Sequence, residues 1–160
     1  ALDDAQLLQL GEQILARTSA SLVLVGTRAD QAAAAQLLAR LPAGRVIDST
    51  AQWSLAELPS LLATLDCFVG VDSGATYMAD ALGVPVVDFM GPADADDQRP
   101  IGRQAVIIHS SEPCAPCSHA FDAPYRCHLG TRACIAKAPL AGIAEQIVRS
   151  LANKEKFDES

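Results

Sequence analysis

Leu7, Leu8, Leu10, Ile14 and Leu15 recur at near-helical spacing, which predicts an amphipathic helix over residues 3–17. Ser21 to Val25 is a short apolar run ending at Gly26, and it reads as a strand. Ala29 to Leu41 is rich in Ala and Leu and reads as a helix closed by Pro42 and Gly44. Arg45 to Asp48 is a second strand. Ser54 and Glu57 have capping-box spacing for a further helix, with Pro59 near its first turn. Cys67 to Val71 reads as a strand, 74–82 as a helix, and Val84 to Phe89 and Gln104 to His109 as two more strands. Pro139 opens a last helix that runs to about Asn153.

Short strands, apolar on both faces, thus alternate with helices. That is the pattern of an α/β protein with a doubly wound, mainly parallel sheet covered by helices. Such sheets bind ligands beyond the carboxyl ends of their strands. The Gly- and Asp-rich turns fall at those ends: Gly26 to Asp30, Asp72 to Gly74 and Gly91 to Asp94. Residues 1–153 are expected to form a single domain with a Cys-rich loop over 110–134, followed by a polar tail over 154–160.

Composition changes this picture little. The chain has 160 residues, half of them apolar and only 4% aromatic, which suits one soluble domain with a real core. The formal charge of −7 argues against a nucleic-acid partner, which would need a basic face. No apolar run approaches the length of a transmembrane segment. The chain opens at Ala1 and enters a helical pattern almost at once, as expected of part of a longer protein or of a processed terminus.

The richest chemistry lies in Asp72-Ser73-Gly74-Ala75, where a strand empties into a turn and a helix begins. The free N–H groups and positive dipole end of such a helix suit an anion such as phosphate. Gly74 allows close backbone approach and Ser73 adds a hydroxyl. The competing reading is that Asp72 or Ser73 simply caps the helix.

Asp72-Ser73-Gly74, Ala79-Asp80-Ala81-Leu82-Gly83-Val84-Pro85, Gly91-Pro92-Ala93-Asp94, Pro100-Ile101-Gly102 and Cys114-Ala115-Pro116-Cys117 follow one order and spacing. Together they resemble the C-terminal half of the ADP-heptose:lipopolysaccharide heptosyltransferases, glycosyltransferase family 9. The resemblance covers essentially the whole chain. It implies the Rossmann-like, donor-binding half of a two-domain GT-B enzyme, an inverting glycosyltransferase that takes its heptose, or a similar sugar, from an ADP-sugar. The acceptor, of lipopolysaccharide-core type, and the catalytic base would belong to an N-terminal domain, so this half alone would be inactive. Phosphate-contacting Thr and Lys residues of the family would lie upstream of Ala1. The resemblance also implies a cytoplasmic protein, peripheral to the inner face of the inner membrane, and no required cofactor.

Carried onto this chain, the resemblance places the donor diphosphate on Asp72, Ser73, Gly74 and Ala75, with Tyr77 beside it. Asp30, after Gly26, stands where a carboxylate contacts the ribose in many GT-B enzymes, although a solvated or helix-capping Asp reads equally well. Trp53 stands where the family places a residue near the base, and ordinary packing is the competing reading. Two positions depart from the family pattern. Tyr77 replaces a usual His, and Asp97 lies near a usual basic residue, with Arg99 two residues on. Both lower the positive charge where a diphosphate should sit.

Cys114, Cys117, Cys127 and Cys134 are spaced C-x2-C-x9-C-x6-C. Four thiols beginning with C-x2-C suit a structural zinc site, yet the last two lack the close spacing of a zinc ribbon. Reduced thiols, or disulfides formed on purification, are the alternative. Cys67, inside an apolar strand, reads as a core residue. His109 ends a strand, where it would be solvated or face a cleft. Two other functions remain open at this point: a non-catalytic nucleotide-binding or interaction module with an eroded phosphate site, and a transferase using a different nucleotide-sugar.

Overall fold

A computed structural model of the chain describes residues 1–124 and 126–158. Helix α1 (Asp4–Arg17) begins at a capping box in which Asp3 accepts the Gln6 N–H and the Gln6 side chain accepts the Asp3 N–H. Strand β1 (Leu22–Leu24) leads through a 3-10 turn (Arg28–Asp30) into α2 (Gln31–Arg40) and back to β2 (Val46–Asp48). Helix α3 (Leu58–Leu62), strand β3 (Phe68–Gly70), helix α4 (Gly74–Ala81), and strands β4 (Val86–Met90) and β5 (Ala105–His109) follow. A short helix α5 (Ala133–Ala136) and the long α6 (Leu140–Asp158) complete the chain.

All strand pairs are parallel, as expected. The ladder comes in two pieces rather than one sheet: β1 pairs β2, and β3–β4–β5 form a three-stranded unit. Only β4 is buried along its whole length. Ile47 in β2 and Val69 in β3 are exposed, so the expectation of strands apolar on both faces holds for the centre alone. Edge strands have no second neighbour to cover them.

Alternation along β4 assigns its residues to two cores. Val87 and Phe89 face Leu10, Ile14, Ile143 and Ile147 of α1 and α6. Val86 packs with Leu62 of α3 and Ala79 of α4, so the sheet is covered from both sides. A second stripe of α1, Leu8 and Leu15, meets Leu37 of α2 and Leu41 just beyond it. Leu22 of β1 packs against both the α1–α2 cluster and the main core, which joins the two ladders through side chains.

Three boundaries differ from expectation. The Ser54–Glu57 contact forms, with Ser54 donating from both its N–H and its hydroxyl to the Glu57 carboxylate, but it holds a turn. Helix α3 begins only at Leu58, because Pro59 belongs in the first turn, where its missing N–H costs nothing. Pro139 stands one residue before α6 and accepts the Ile143 N–H through its carbonyl at 3.0 Å. Helix α6 continues to Asp158, past the expected end near Asn153, since Lys and Glu support a helix and no Gly or Pro stops it. Of the expected polar tail, residues 159 and 160 lie outside the described residues.

Candidate functional site at the strand ends

Asp72 follows β3 with a φ of 47°, a left-handed conformation that an Asp tolerates but that costs energy. Two contacts hold it there. The Asp72 N–H donates to Asp88 Oδ1 at 2.8 Å, and its Oδ1 accepts the Tyr77 hydroxyl at 2.7 Å. Ser73 and Thr76 hydroxyls lie 3.0 Å apart, and Thr76 is fully buried beneath the turn. A Cβ on Gly70 would come within 2.0 Å of Thr76 Oγ1, so β3 and α4 can close on each other only over a glycine. At Gly74 the opposite holds. Nothing lies within 4 Å of an added Cβ, so the space beside the first residue of α4 is open.

Asp88 is the residue that sequence reasoning missed. It sits inside β4, is fully buried, and its Oδ2 has no hydrogen-bond partner. Burial pushes its carboxyl above the usual range; the Asp72 N–H lowers it again, and the Asp72 charge adds to the rise. The signal was present: one acid in the otherwise apolar run Val86-Val87-Asp88-Phe89-Met90. Tyr77 also shifts upward, first through burial and then through its bond to Asp72. Its proton is committed to Asp72, so the phenol does not stand free as a donor to a ligand.

The other expected residues form separate local networks. Asp30 Oδ2 accepts the Thr27 N–H and hydroxyl at 2.7 and 2.8 Å, so this carboxylate does cap its turn. A Cβ on Gly26 would meet that same carboxylate. Trp53, beyond β2, is 41% exposed and donates from Nε1 to the Ser49 hydroxyl, which departs from a purely packing role.

After β4, the Gly91 to Asp97 turn is tied to the Cys-rich loop. Cys117 and Ser118 N–H groups both donate to Pro92 O at 2.9 Å, and the Asp94 N–H donates to Ser118 O at 2.9 Å. A cavity of about 270 Å³ opens between Gly91, Ala93, Asp94, His109, Ser110 and Pro116. His109 therefore lines a pocket as well as ending a strand. A wider depression of about 720 Å³ lies at the amino ends of β4 and β5, around Gly83, Pro85 and Gln104. Strand polarity puts it on the wrong side of the sheet for the turns described above.

The cysteines gather in one corner without forming a ligand shell. Burial, then the charges of Cys114, Cys117 and Cys127, push Cys134 upward. Among the described residues, however, no three of these sulfurs lie within 4.8 Å of one another. Zinc–sulfur bonds of about 2.3 Å bring sulfurs closer than that. Cys127 is held below the usual thiol range, first by the N–H of Arg132, helped by the N–H groups of Leu129, Gly130 and Thr131. Cys67 is half-buried against the main core, and burial, with the Asp66 charge adding to it, pushes the thiol up to about 12.

Parallel strands, helical crossovers and Gly- and Asp-rich turns at the carboxyl ends define a Rossmann-like α/β domain, the fold of GT-B glycosyltransferase halves. The chain belongs to glycosyltransferase family 9, the heptosyltransferase family, whose model matches residues 10–126. It is similar to lipopolysaccharide heptosyltransferase 1 of Pseudomonas aeruginosa, 35% identical over 92 residues, which are 58% of this chain and 25% of that protein. In fold it matches the E. coli ADP-heptose LPS heptosyltransferase II with a TM-score of 0.72 and 22% identity, over 96% of this chain and 42% of that one. A family 9 glycosyltransferase from Veillonella parvula matches with a TM-score of 0.59 and 18% identity, over 67% of this chain and 30% of that one. The chain thus spans less than half the length of these relatives. Among the described residues, no helix is long and apolar enough to cross a membrane.

Proposed function

We propose that this chain is the C-terminal, donor-binding half of a heptosyltransferase-like enzyme and holds the diphosphate of an ADP-sugar at the Asp72–Gly74 turn. The observation that carries the reading is the open space beside Gly74, at the start of an eight-residue helix, behind a left-handed Asp72. Backbone N–H groups of Gly74 and Ala75 would hold the phosphate oxygens, and the helix dipole would stabilise charge on the departing diphosphate. Burial of Asp88 raises its pKa, which shifts its balance toward the neutral form behind the anion site. Asp30 and Trp53, beyond β1 and β2, are the proposed contacts to ribose and base.

The missing half would supply the base that deprotonates the acceptor hydroxyl, which attacks the anomeric carbon with inversion as the nucleoside diphosphate leaves. The acceptor would be of lipopolysaccharide-core type and the enzyme cytoplasmic. In this reading fixed donors can take the place of a cofactor. A second reading rests on the Tyr77–Asp72 bond, which withdraws the phenol from any phosphate. It describes a transferase with a different nucleotide donor, or a binding module whose phosphate site has eroded.

NMR titration with ADP, UDP, GDP and CDP separates these readings. Saturable shifts with ADP alone, at 26–30 and 72–77, are expected. Gly74→Val should abolish them with the fold intact, because a Cβ there meets no protein atom and the branched side chain would stand in the proposed ligand space. Preference for another nucleotide would keep the transferase and change its donor. Silence with all four in the full-length protein would leave the non-catalytic module.

A further inference from the structure

One residue that departs from the family's basic pattern, Asp97, meets a histidine together with Asp94. His119 Nδ1 lies 3.2 Å from an Asp94 carboxylate oxygen and 3.1 Å from one of Asp97. One ligating atom from each of the three residues falls within a sphere where every pair is less than 4.8 Å apart. A first-row divalent ion binds nitrogen and oxygen at roughly 2.0–2.2 Å, so neighbouring ligand atoms in its shell stand about 3.0–3.5 Å apart. The two measured separations fall in that range.

The backbone fixes this geometry before any ligand arrives. The Asp94 N–H is bonded to Ser118 O, which positions His119 one residue on. Asp94 Oδ1 takes the Asp96 N–H at 2.9 Å, leaving Oδ2 toward the imidazole. Asp97 N–H donates to Asp94 O at 3.3 Å, so the turn brings both carboxylates to the same side. All three side chains are partly exposed, which leaves coordination positions open to water or to an oxyanion. Asp94 also lines the 270 Å³ pocket.

We infer that Asp94, Asp97 and His119 form a binding site for a divalent first-row transition ion at the edge of this pocket. Two hard carboxylate oxygens and one imidazole suit Mn2+ or Zn2+ better than Mg2+ or a soft ion. Without an ion the loop turns the Asp94 carboxylate toward the pocket; with one the two carboxylate charges are balanced and an open, Lewis-acidic coordination position stands there. That would cancel the negative charge Asp97 brings to the family pattern and offer an oxyanion a metal ligand position, and only this last use rests on the donor-site reading above.

Mn2+ is the probe, because thiols are poor ligands for it and the cysteine cluster will not compete. The chelator-treated chain is titrated with Mn2+ and followed by electron paramagnetic resonance of the free ion. Paramagnetic broadening of amide signals locates the site. One ion per chain is expected, with broadening centred on 93–98 and 117–120. Asp97→Asn and His119→Ala should each weaken binding by at least the roughly 10–100-fold lost with an outer-shell partner. Both side chains are half exposed, and an otherwise unchanged amide spectrum shows that each variant folds. Absence of saturable binding, broadening elsewhere, or full affinity in both variants would overturn the site and leave a plain His–carboxylate ion pair. No nucleotide enters that titration, so it is independent of the donor reading. ADP added afterwards tests the use of the site: if the ion binds as expected and ADP gives no shifts in the full-length protein either, the donor reading fails and the cation site stands.

Discussion

Asp88 shows how much one side chain in a strand can control. Its Oδ1 accepts the N–H of a left-handed residue at 2.8 Å though the two are sixteen apart in sequence, while its Oδ2 is left without a partner. Because burial raises its pKa, the folded chain holds this proton more tightly than the unfolded chain. Its contribution to stability therefore grows as pH falls through the raised folded value and is lost as pH rises through it. Asp88→Asn cannot titrate. As pH falls from neutral toward the ordinary carboxyl value of 3.8, the melting temperature of the parent should improve relative to Asp88→Asn. A difference that stays constant across that range would contradict the account. The thiols offer a second test at this scale. The N–H groups around Cys127 favour its thiolate, whereas Cys67 and Cys134 are pushed the other way. Limited iodoacetamide treatment near neutral pH should label Cys127 before those two, as read by peptide mass spectrometry. Equal labelling would mean that the amide cradle has no effect on reactivity.

Among the elements, the junction of β3 and α4 leaves no room for a side chain at Gly70. Gly70 admits the Thr76 hydroxyl where any Cβ would clash. Gly70→Ala should therefore destabilise the chain by about 1–3 kcal/mol, the usual range for overpacking, measured by urea unfolding. An unchanged midpoint would show that the junction can relax. This junction was legible in the sequence because strand, turn and helix each carry their own local signal: apolar β-branched residues, Asp-Ser-Gly, then Ala and Met. Register and partner choice were not. Nothing local in Leu22-Val23-Leu24 says that β1 pairs with β2 alone while β3, β4 and β5 form a separate ladder. Side-chain commitments were equally hidden, since Tyr77 pairs with Asp72 rather than standing free, and the Asp94–His119 contact bridges two loops far apart in the chain. Pattern reading finds which residues crowd the strand ends; only three-dimensional packing decides which of them touch.

At the scale of the molecule, the same wall of the main core is built from both ends of the chain. Leu2, Leu10 and Ile14 come from its beginning and Ile143, Ala144 and Ile147 from near its end, and all surround Val87 and Phe89 in the middle. Arg17 of α1 is paired with Glu145 of α6, and Arg132 reaches the carbonyl of Ala1. The contacts that complete the core thus join residues at the largest sequence separations, which slows folding because the loop must close before those contacts form. During synthesis, a ribosome would release the first helix and all five strands while Val87 and Phe89 still lacked their final cover. The nascent chain would expose that apolar face until α6 emerged, a stretch in which chaperone protection matters most.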